Sequence, residues 1–313
     1  MFLNPIGPPR ESTRFEESAK TPMNVIRSEH RNFVFDAAIA PALEVELATT
    51  VVFETDDDTW ERLASGTQPD EIQAFNPVTG PLFVRGARPG DALRIEILEI
   101  NLHRAWSVWM PGFGLLGDRT TRVWAAETPI ENHHVRLSPD RTVPLEPMIG
   151  CIGLAPASGI ASTVRPVYRS GGNLDLREMS SGATLWLPVE VEGALLSLGD
   201  FHAAMGHGEP TFVSLEASGE ATVRVDVDGE LGLSTPRLRL GTDTICVGMG
   251  ATHEEAKQDA VDQAFALLTE ETGFSPFLAY AYMSARVGLR FAGPAGTRVE
   301  GLQAVLAVVP DPE

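Results

Sequence analysis

Short runs of alternating apolar and polar residues, separated by glycine and proline, make up most of this chain. Alternation with a period of two places one face of a strand in the core and the other in water. The runs at 43–47, 93–100 and 221–228 show it most clearly, and a further strand-like run at 50–54 follows the first of them. The runs at 43–47 and 50–54 are only two residues apart and predict a hairpin. Short strands at this spacing predict a sandwich-like or barrel-like β architecture.

A helical pattern comes only late in the chain. The stretch Thr252–Glu255 matches a capping box, and apolar positions then recur at helical spacing through 256–268. Gly273 is placed to end this helix, and Ser275 with Pro276 begins a second one. Strand-like runs precede and follow the helices, so this end is predicted to be α+β.

The predicted fold class is mainly β with a C-terminal α+β part. The composition changes near 140–147, which is the best candidate for a domain boundary. We predict an N-terminal arm at 1–27, a β-sandwich-like domain at 28–145, and a second β unit with the helical segment at 146–313. The arm is broken by prolines and lacks the apolar core of a secretion signal.

Charge and cysteine content narrow the classes of partner. The 313 residues carry 43 acidic and 24 basic side chains, a net charge of −19. This balance disfavours binding to nucleic acid or to an anionic membrane, both of which need basic surfaces. No run approaches the ~20 apolar residues of a membrane helix. Cys151 and Cys246 stand in apolar stretches, which favours buried thiols and a reducing, cytoplasmic setting.

The segment 199–209 concentrates the candidate chemistry. Asp200 and His202 follow an apolar strand-like run, and period-two geometry puts both side chains on one face. Two glycines then allow the chain to turn back, so that His207 or Glu209 could reach the same point. Carboxylates and imidazoles together are typical of a metal site. The alternative is a glycine-rich turn with solvated polar side chains.

This segment resembles the signature of the acetamidase/formamidase family. The resemblance extends over roughly 28–310 and implies a mostly β, metal-containing amidohydrolase. Its expected reaction is cleavage of a small linear amide, such as formamide or acetamide, to a carboxylate and ammonia through metal-activated water. Further blocks agree in order along the chain: 76–81, 86–91, 147–156, 171–175 and 185–189.

The resemblance also implies roles for single residues. Asp200 and His202 are the first metal-ligand candidates, Asp175 is the third and His207 the fourth, with zinc the expected divalent metal. Two glutamates are candidates for proton transfer. Glu209 is the first choice as general base or acid, set against a role in bonding the turn amides, and Glu216 has a weaker claim of the same kind.

The expected partners and alternatives complete the prediction. By resemblance, His30, Asp36 and Asn76 would bind the amide substrate, and the protein would be a homo-oligomer. Met205 and His207 depart from the family's usual residues, which keeps open a substrate-shifted or non-hydrolytic paralogue. A cupin-like metal oxygenase, using a His-x4-His-x-Glu pattern, is a weaker alternative. Separately, the acidic triplet 56–58 is a candidate calcium site, set against a solvated turn.

Overall fold

The computed structural model of the protein describes residues 24–164, 167–229, 231–293 and 301–312. Most of the predicted N-terminal arm lies outside the described residues. The helices of the described part are too short and too polar to cross a membrane.

Strands dominate the described residues, which confirms the predicted mainly β fold class. The strands are β1 Asn24–Ile26, β2 Arg31–Asn32, β3 Val34–Phe35, β4 Leu43–Val45, β5 Thr49–Glu54, β6 Val78–Val84, β7 Ala92–Trp109, β8 Trp124–Glu127, β9 Ile130–Glu131, β10 His134–Ser138, β11 Arg141–Pro144, β12 Met148–Gly153, β13 Ala161–Ser162, β14 Gly171–Asn173, β15 Thr184–Pro188, β16 Leu196–Ala204, β17 Leu215–Asp228, β18 Arg237–Leu240, β19 Asp243–Gly250, β20 Gly288–Ala292 and β21 Gln303–Pro310.

The helices are few and mostly short. The α-helices are α1 Asp58–Ala64, α2 His253–Ala266 and α3 Pro276–Arg286; 3₁₀ turns cover Ser28–His30, Pro69–Glu71 and Gly117–Arg119; and a π-helical turn covers Leu267–Glu271. Both predicted caps are present: the Thr252 side chain accepts a hydrogen bond from the Glu255 N–H, and the Ser275 side chain accepts one from the Leu278 N–H.

One large sheet organises the protein. Its main path runs β14-β12-β16-β17-β7-β15-β18-β19-β21-β20 and is open at both ends among the described residues, so it does not close as a barrel. The long strands β7 and β17 pair from Leu215 opposite Ser107 to Asp228 opposite Ala92. Their inward side chains belong to one continuous apolar core. The β7–β17 pair is therefore a rigid base for the neighbouring strand β16, which pairs with β17.

Long-range pairing overrides the predicted hairpin. Strands β4 and β5 both form, but β4 pairs in parallel with β6, and β5 pairs with β1 and β17. The hairpin prediction is wrong because more distant segments offer both strands longer partners. Pairing also crosses the predicted boundary at 145/146, since β16 joins β6 and β17 joins β7. The domain division itself stays a prediction.

The C-terminal part is α+β, as predicted. Helix α2 lies against β19 and β21 through a second apolar cluster that includes Ala256 and Ala260. The approach is close enough that a Cβ on Gly248 would lie 2.2 Å from the Ala256 carbonyl oxygen and from the Ala260 nitrogen. Small side chains on both elements therefore set the distance between helix and sheet.

Candidate active site

A buried histidine at the end of β16 is the centre of the site. His202 and Glu216 are direct cross-strand partners on β16 and β17, with His202 Nε2 3.6 Å from Glu216 Oε2. Asp200, two residues earlier on the same strand, places Oδ1 3.4 Å from the same nitrogen. On the other side of the ring, Asp175 Oδ1 is 4.0 Å from His202 Nδ1. Strand periodicity and strand pairing thus bring three of the groups together.

Glu209 completes this set, which we call the carboxylate–histidine cluster: Asp175, Asp200, His202, Glu209 and Glu216. Glu209 is buried, and its Oε1 accepts a hydrogen bond of 2.8 Å from the Ser214 hydroxyl. The Ser214 backbone N–H donates to Glu216 Oε1 at 3.0 Å. One serine therefore orients both glutamates.

Three of the acids stand on left-handed backbone. The φ angles are 42° at Asp175, 58° at Asp200 and 38° at Glu209. Residues other than glycine adopt this region rarely, and the strain persists only where the surroundings hold it. Strand β12 passes so close that a Cβ on Gly150 would lie 2.7 Å from Asp175 Oδ1 and 2.8 Å from Asp200 Oδ2. Backbone geometry and the missing side chain at 150 together create room for the carboxylates.

Burial among like charges shifts the protonation of the cluster. Burial raises the pKa of Asp175 and of Glu216 well above their usual range. It also raises the pKa of Glu209 to about 7, although the neighbouring His202 acts in the opposite direction. For His202, burial lowers the pKa, but Glu216 and Asp200 outweigh it and the pKa rises well above its ordinary value. The acids outnumber the nearby cations, so the cluster favours bound protons or a bound cation.

The donor set fits a divalent metal. Both carboxylate oxygens of Asp175 and Nδ1 of His202 are buried without a hydrogen-bond partner. Such groups are rarely left unpaired in folded proteins. Two overlapping triads, Asp175–Asp200–His202 and His202–Glu209–Glu216, each bring their ligand atoms within 4.8 Å of one another. Carboxylate oxygen and imidazole nitrogen are zinc ligands, so the residues present suit this ion.

The cluster lines a mainly apolar cavity. Asn76 also faces this cavity, and its Nδ2 donates to Thr163 O at 3.1 Å and to Asn173 Oδ1 at 2.9 Å. The remaining walls of the cavity are apolar. They are formed by Trp60, Phe75, Met110, Phe113, Val164, Phe212 and Val213. The polar part of the lining therefore comes from the cluster, Asn76 and Asn173.

His207 lies apart from the cluster. Its side chain is 38% exposed, and its Nδ1 is 3.6 Å from Glu178 Oε1 in a separate cavity. Gly208, at φ 73°, reverses the chain between His207 and Glu209 and sends the two side chains to different sites. The predicted ligand set includes His207, but the structure does not bring its side chain to the cluster. The cupin-like alternative needed His202 and His207 together, so it loses its ligand pair.

Three other sequence candidates also lie away from the cavity. His30 is exposed in a 3₁₀ turn, with Nε2 3.9 Å from Glu29 Oε1. Asp36 Oδ1 accepts the Ala38 N–H in a local turn. In the acidic triplet 56–58, Asp56 pairs with Arg31 at 2.9 Å. Within the described residues, the triplet forms no group of three ligand atoms close enough to hold an ion.

Two residues of the site went unrecognised in the sequence. Gly150 lies in the block 147–156 that carries part of the family resemblance. Its role is to leave room for carboxylates of other segments, and no pattern of neighbouring residues in the sequence indicates such a role. Ser214 lies between the apolar residues Val213 and Leu215, and no motif in the sequence marks it as a site residue. Asn76 is the one predicted substrate residue that faces the cavity.

Comparisons of sequence and of overall fold place this chain among known proteins. The model of the acetamidase/formamidase family matches residues 20–164 and 157–295. The crystal structure of an acetamidase from Bacillus halodurans is 33% identical, has a TM-score of 0.84, and covers 91% of this chain and 97% of that one.

Curated relatives match over part of their length. A formamidase of Methylophilus methylotrophus is 31% identical over 55% of this chain and 58% of its own. An acetamidase of Mycolicibacterium smegmatis is 28% identical over 52% of this chain and 56% of its own. The chain thus matches less than two thirds of the length of these two relatives. The match of the family model over most of the chain and the fold shared with the Bacillus acetamidase both lead to one assignment: this chain belongs to the acetamidase/formamidase family.

Proposed function

We propose that the protein hydrolyses a small linear amide to a carboxylate and ammonia at the carboxylate–histidine cluster. The observation that carries this proposal is His202, buried among four carboxylates that line a mainly apolar cavity. Relatives named acetamidase and formamidase support the reaction class. Amide hydrolysis needs an activated water, a stabiliser for the negative charge on the carbonyl oxygen, and an acid for the departing amine.

The proposed cofactor is a divalent metal, zinc in the first instance. Asp175, Asp200 and His202 would hold it, and Glu216, whose Oε2 lies 3.6 Å from His202 Nε2, is the further ligand candidate. When bound, such an ion lowers the pKa of a water molecule and polarises a carbonyl oxygen. The unpaired oxygens of Asp175 and the unpaired nitrogen of His202 support this assignment.

Glu209 is the proposed proton carrier. Burial raises its pKa, which suits the carboxylate to take a proton from water and to return it to the leaving ammonia. The Ser214 hydroxyl, 2.8 Å from its Oε1, holds the carboxylate in position.

Asn76 is the proposed contact to the substrate amide. Both hydrogens of its Nδ2 have acceptors in Thr163 and Asn173, which leaves its side-chain oxygen to accept from the substrate N–H₂. The apolar walls opposite exclude bulk water, which strengthens the polar interactions at the reacting carbonyl. A homo-oligomeric state and a cytoplasmic location remain proposals beside this one.

The test combines metal content and ammonia release on the same purified protein. We expect wild type to hold a divalent ion and to release ammonia from formamide or acetamide. We expect His202→Ala to lose the ion and to lose activity by at least ~100-fold, the scale on which a site group contributes. The matched control is His103→Ala, an exposed histidine on β7, which should keep both.

The outcomes separate the alternatives. A metal-free wild type with full activity would contradict the proposed cofactor. Bound metal without ammonia from any small amide would contradict hydrolysis and favour a paralogue that only binds its ligand.

A further inference from the structure

Two cavities lie side by side at the site and share a wall. The inner cavity, which holds the carboxylate–histidine cluster, has a volume of about 60 Å³. The outer cavity has a volume of about 520 Å³ and is also mainly apolar. The residues that line both are Met110, Phe113, Glu209 and Val213. Three apolar side chains therefore separate the reacting end of the site from a much larger apolar space.

The shared wall is built by two segments in close contact, 110–114 and 209–213. The rings of Phe113 and Phe212 are stacked, with centroids 5.8 Å apart and planes at 18°. Phe75 supports Phe113 from the inner side, with ring centroids 6.4 Å apart. A Cβ on Gly114 would lie 2.1 Å from the Thr211 carbonyl oxygen, so the two backbones meet without an intervening side chain. This contact holds the Phe113 ring in place.

We propose that Phe113 is the residue that limits the length of the substrate's acyl chain. This inference rests on the proposed amide hydrolysis and names the substrate range of the same site. By the volume of roughly 10–15 Å³ that one water-sized sphere needs, the inner cavity holds about four to six such spheres. That is less than half of the ~150 Å³ cavity known to admit benzene. Short aliphatic amides fit, whereas aryl amides and long chains meet the Phe113 ring.

The outer cavity would receive longer chains once the ring is removed. Its apolar lining includes Trp109, Leu116 and Leu137, which suits a hydrocarbon chain. Burying a methylene is worth ~0.8 kcal/mol, which corresponds to about fourfold in kcat/KM for each added carbon. The kcat/KM of wild type should therefore rise with the length of the acyl chain until the inner cavity is full, and it should fall sharply for longer chains.

The test compares kcat/KM for formamide, acetamide, propionamide, butyramide, hexanamide and benzamide. In wild type we expect the optimum among the short amides. In Phe113→Ala we expect the ratio of kcat/KM for hexanamide to kcat/KM for acetamide to rise at least tenfold. Phe113→Leu should show an intermediate rise in this ratio. The control is Leu115→Ala, an exposed residue close to Phe113 in the chain that lines neither cavity and should leave the ratio unchanged. An unchanged ratio in Phe113→Ala, or a wild type that prefers hexanamide, would overturn the inference.

A second readout separates this inference from the proposed function. Ligand-induced stabilisation measured with the same amides reports binding whether or not turnover occurs. If neither protein releases ammonia, the proposed hydrolysis fails, but the comparison of binding still decides the inference. Hexanamide that stabilises Phe113→Ala and not wild type supports the role of Phe113. Equal stabilisation of both proteins contradicts it.

Discussion

The turn that contains Gly208 contributes one side chain to each of two clusters of charged residues. The two clusters differ in their balance of acidic and basic side chains. On one side, Glu209 enters a buried group of four carboxylates around a single imidazole. On the other side, His207 joins a group in which acids face cations: Glu178 Oε1 is 2.6 Å from Arg290 Nη1, and Arg177 Nη2 is 2.6 Å from Glu146 Oε2.

The two groups differ in how many of their buried polar atoms lack a hydrogen-bond partner, and such atoms are the ones available to bind a ligand. In the His207 group, Oε2 of Glu178 is the buried atom that lacks a hydrogen bond. In the carboxylate–histidine cluster, both oxygens of Asp175 and one nitrogen of His202 lack one. Paired acids and bases satisfy each other, whereas an excess of buried acids needs protons or a cation from outside. Residue types alone would not separate the two groups.

The strongest way to break this comparison is to fill the space at Gly150. An alanine there would place its Cβ 2.7 Å from Asp175 Oδ1, so the carboxylates must move. We expect Gly150→Ala to lower kcat/KM roughly 10³-fold, because misplacement by about 1 Å costs ~10²-fold and weaker metal binding adds to it. Activity assays and metal titration measure this. Gly288→Ala, at an exposed position with open space, is the matched control. Wild-type metal affinity in Gly150→Ala would contradict the geometry.

The second prediction concerns the pH dependence of stability in chelator-treated protein. The pKa of Glu209 is raised from 4.5 to about 7 on folding, so between these values the folded state binds more protons than the unfolded state. Stability from this group is therefore full below pH 4.5 and is lost as the pH rises to 7, by about 3 kcal/mol.

Denaturant unfolding at a series of pH values measures this decline. Glu209→Gln should show a shallower decline over the same range, because the variant has no proton to lose at this position. Bound metal should remove the effect, since it favours the ionised acids. Identical slopes in wild type and Glu209→Gln would rule out this protonation.

The smallest effect is expected on the other side of the turn. His207 is 38% exposed and 3.6 Å from its acidic partner, so the pair contributes less than ~1 kcal/mol. We expect His207→Asn to keep its metal and to change kcat/KM by less than about fivefold. Loss of the metal would place His207 among the ligands and remove the distinction between the two clusters.

Local patterns predicted the strands and helices better than their partners. Alternation at 93–100 and 221–228 marked parts of β7 and β17, and the Thr252 cap marked the start of α2. The predicted hairpin failed because hydrogen-bond partners are chosen across the whole chain, which no local window contains. The same limit applies to the site, since Asp200 and His202 follow from strand periodicity, whereas Asp175 reaches them from another strand end.

By itself, the sequence determined the mainly β composition, the two late helices, the family, and the chemical types available near 199–209. These properties depend on short-range periodicity and on residue identity. Only the tertiary structure decided that Glu216 faces His202 across a strand pair and that Gly208 turns His207 away. It also decided that Phe113 lines two neighbouring cavities. Those properties depend on strand register, on the backbone conformation of one turn and on contacts between distant segments, all of which are fixed when the core packs.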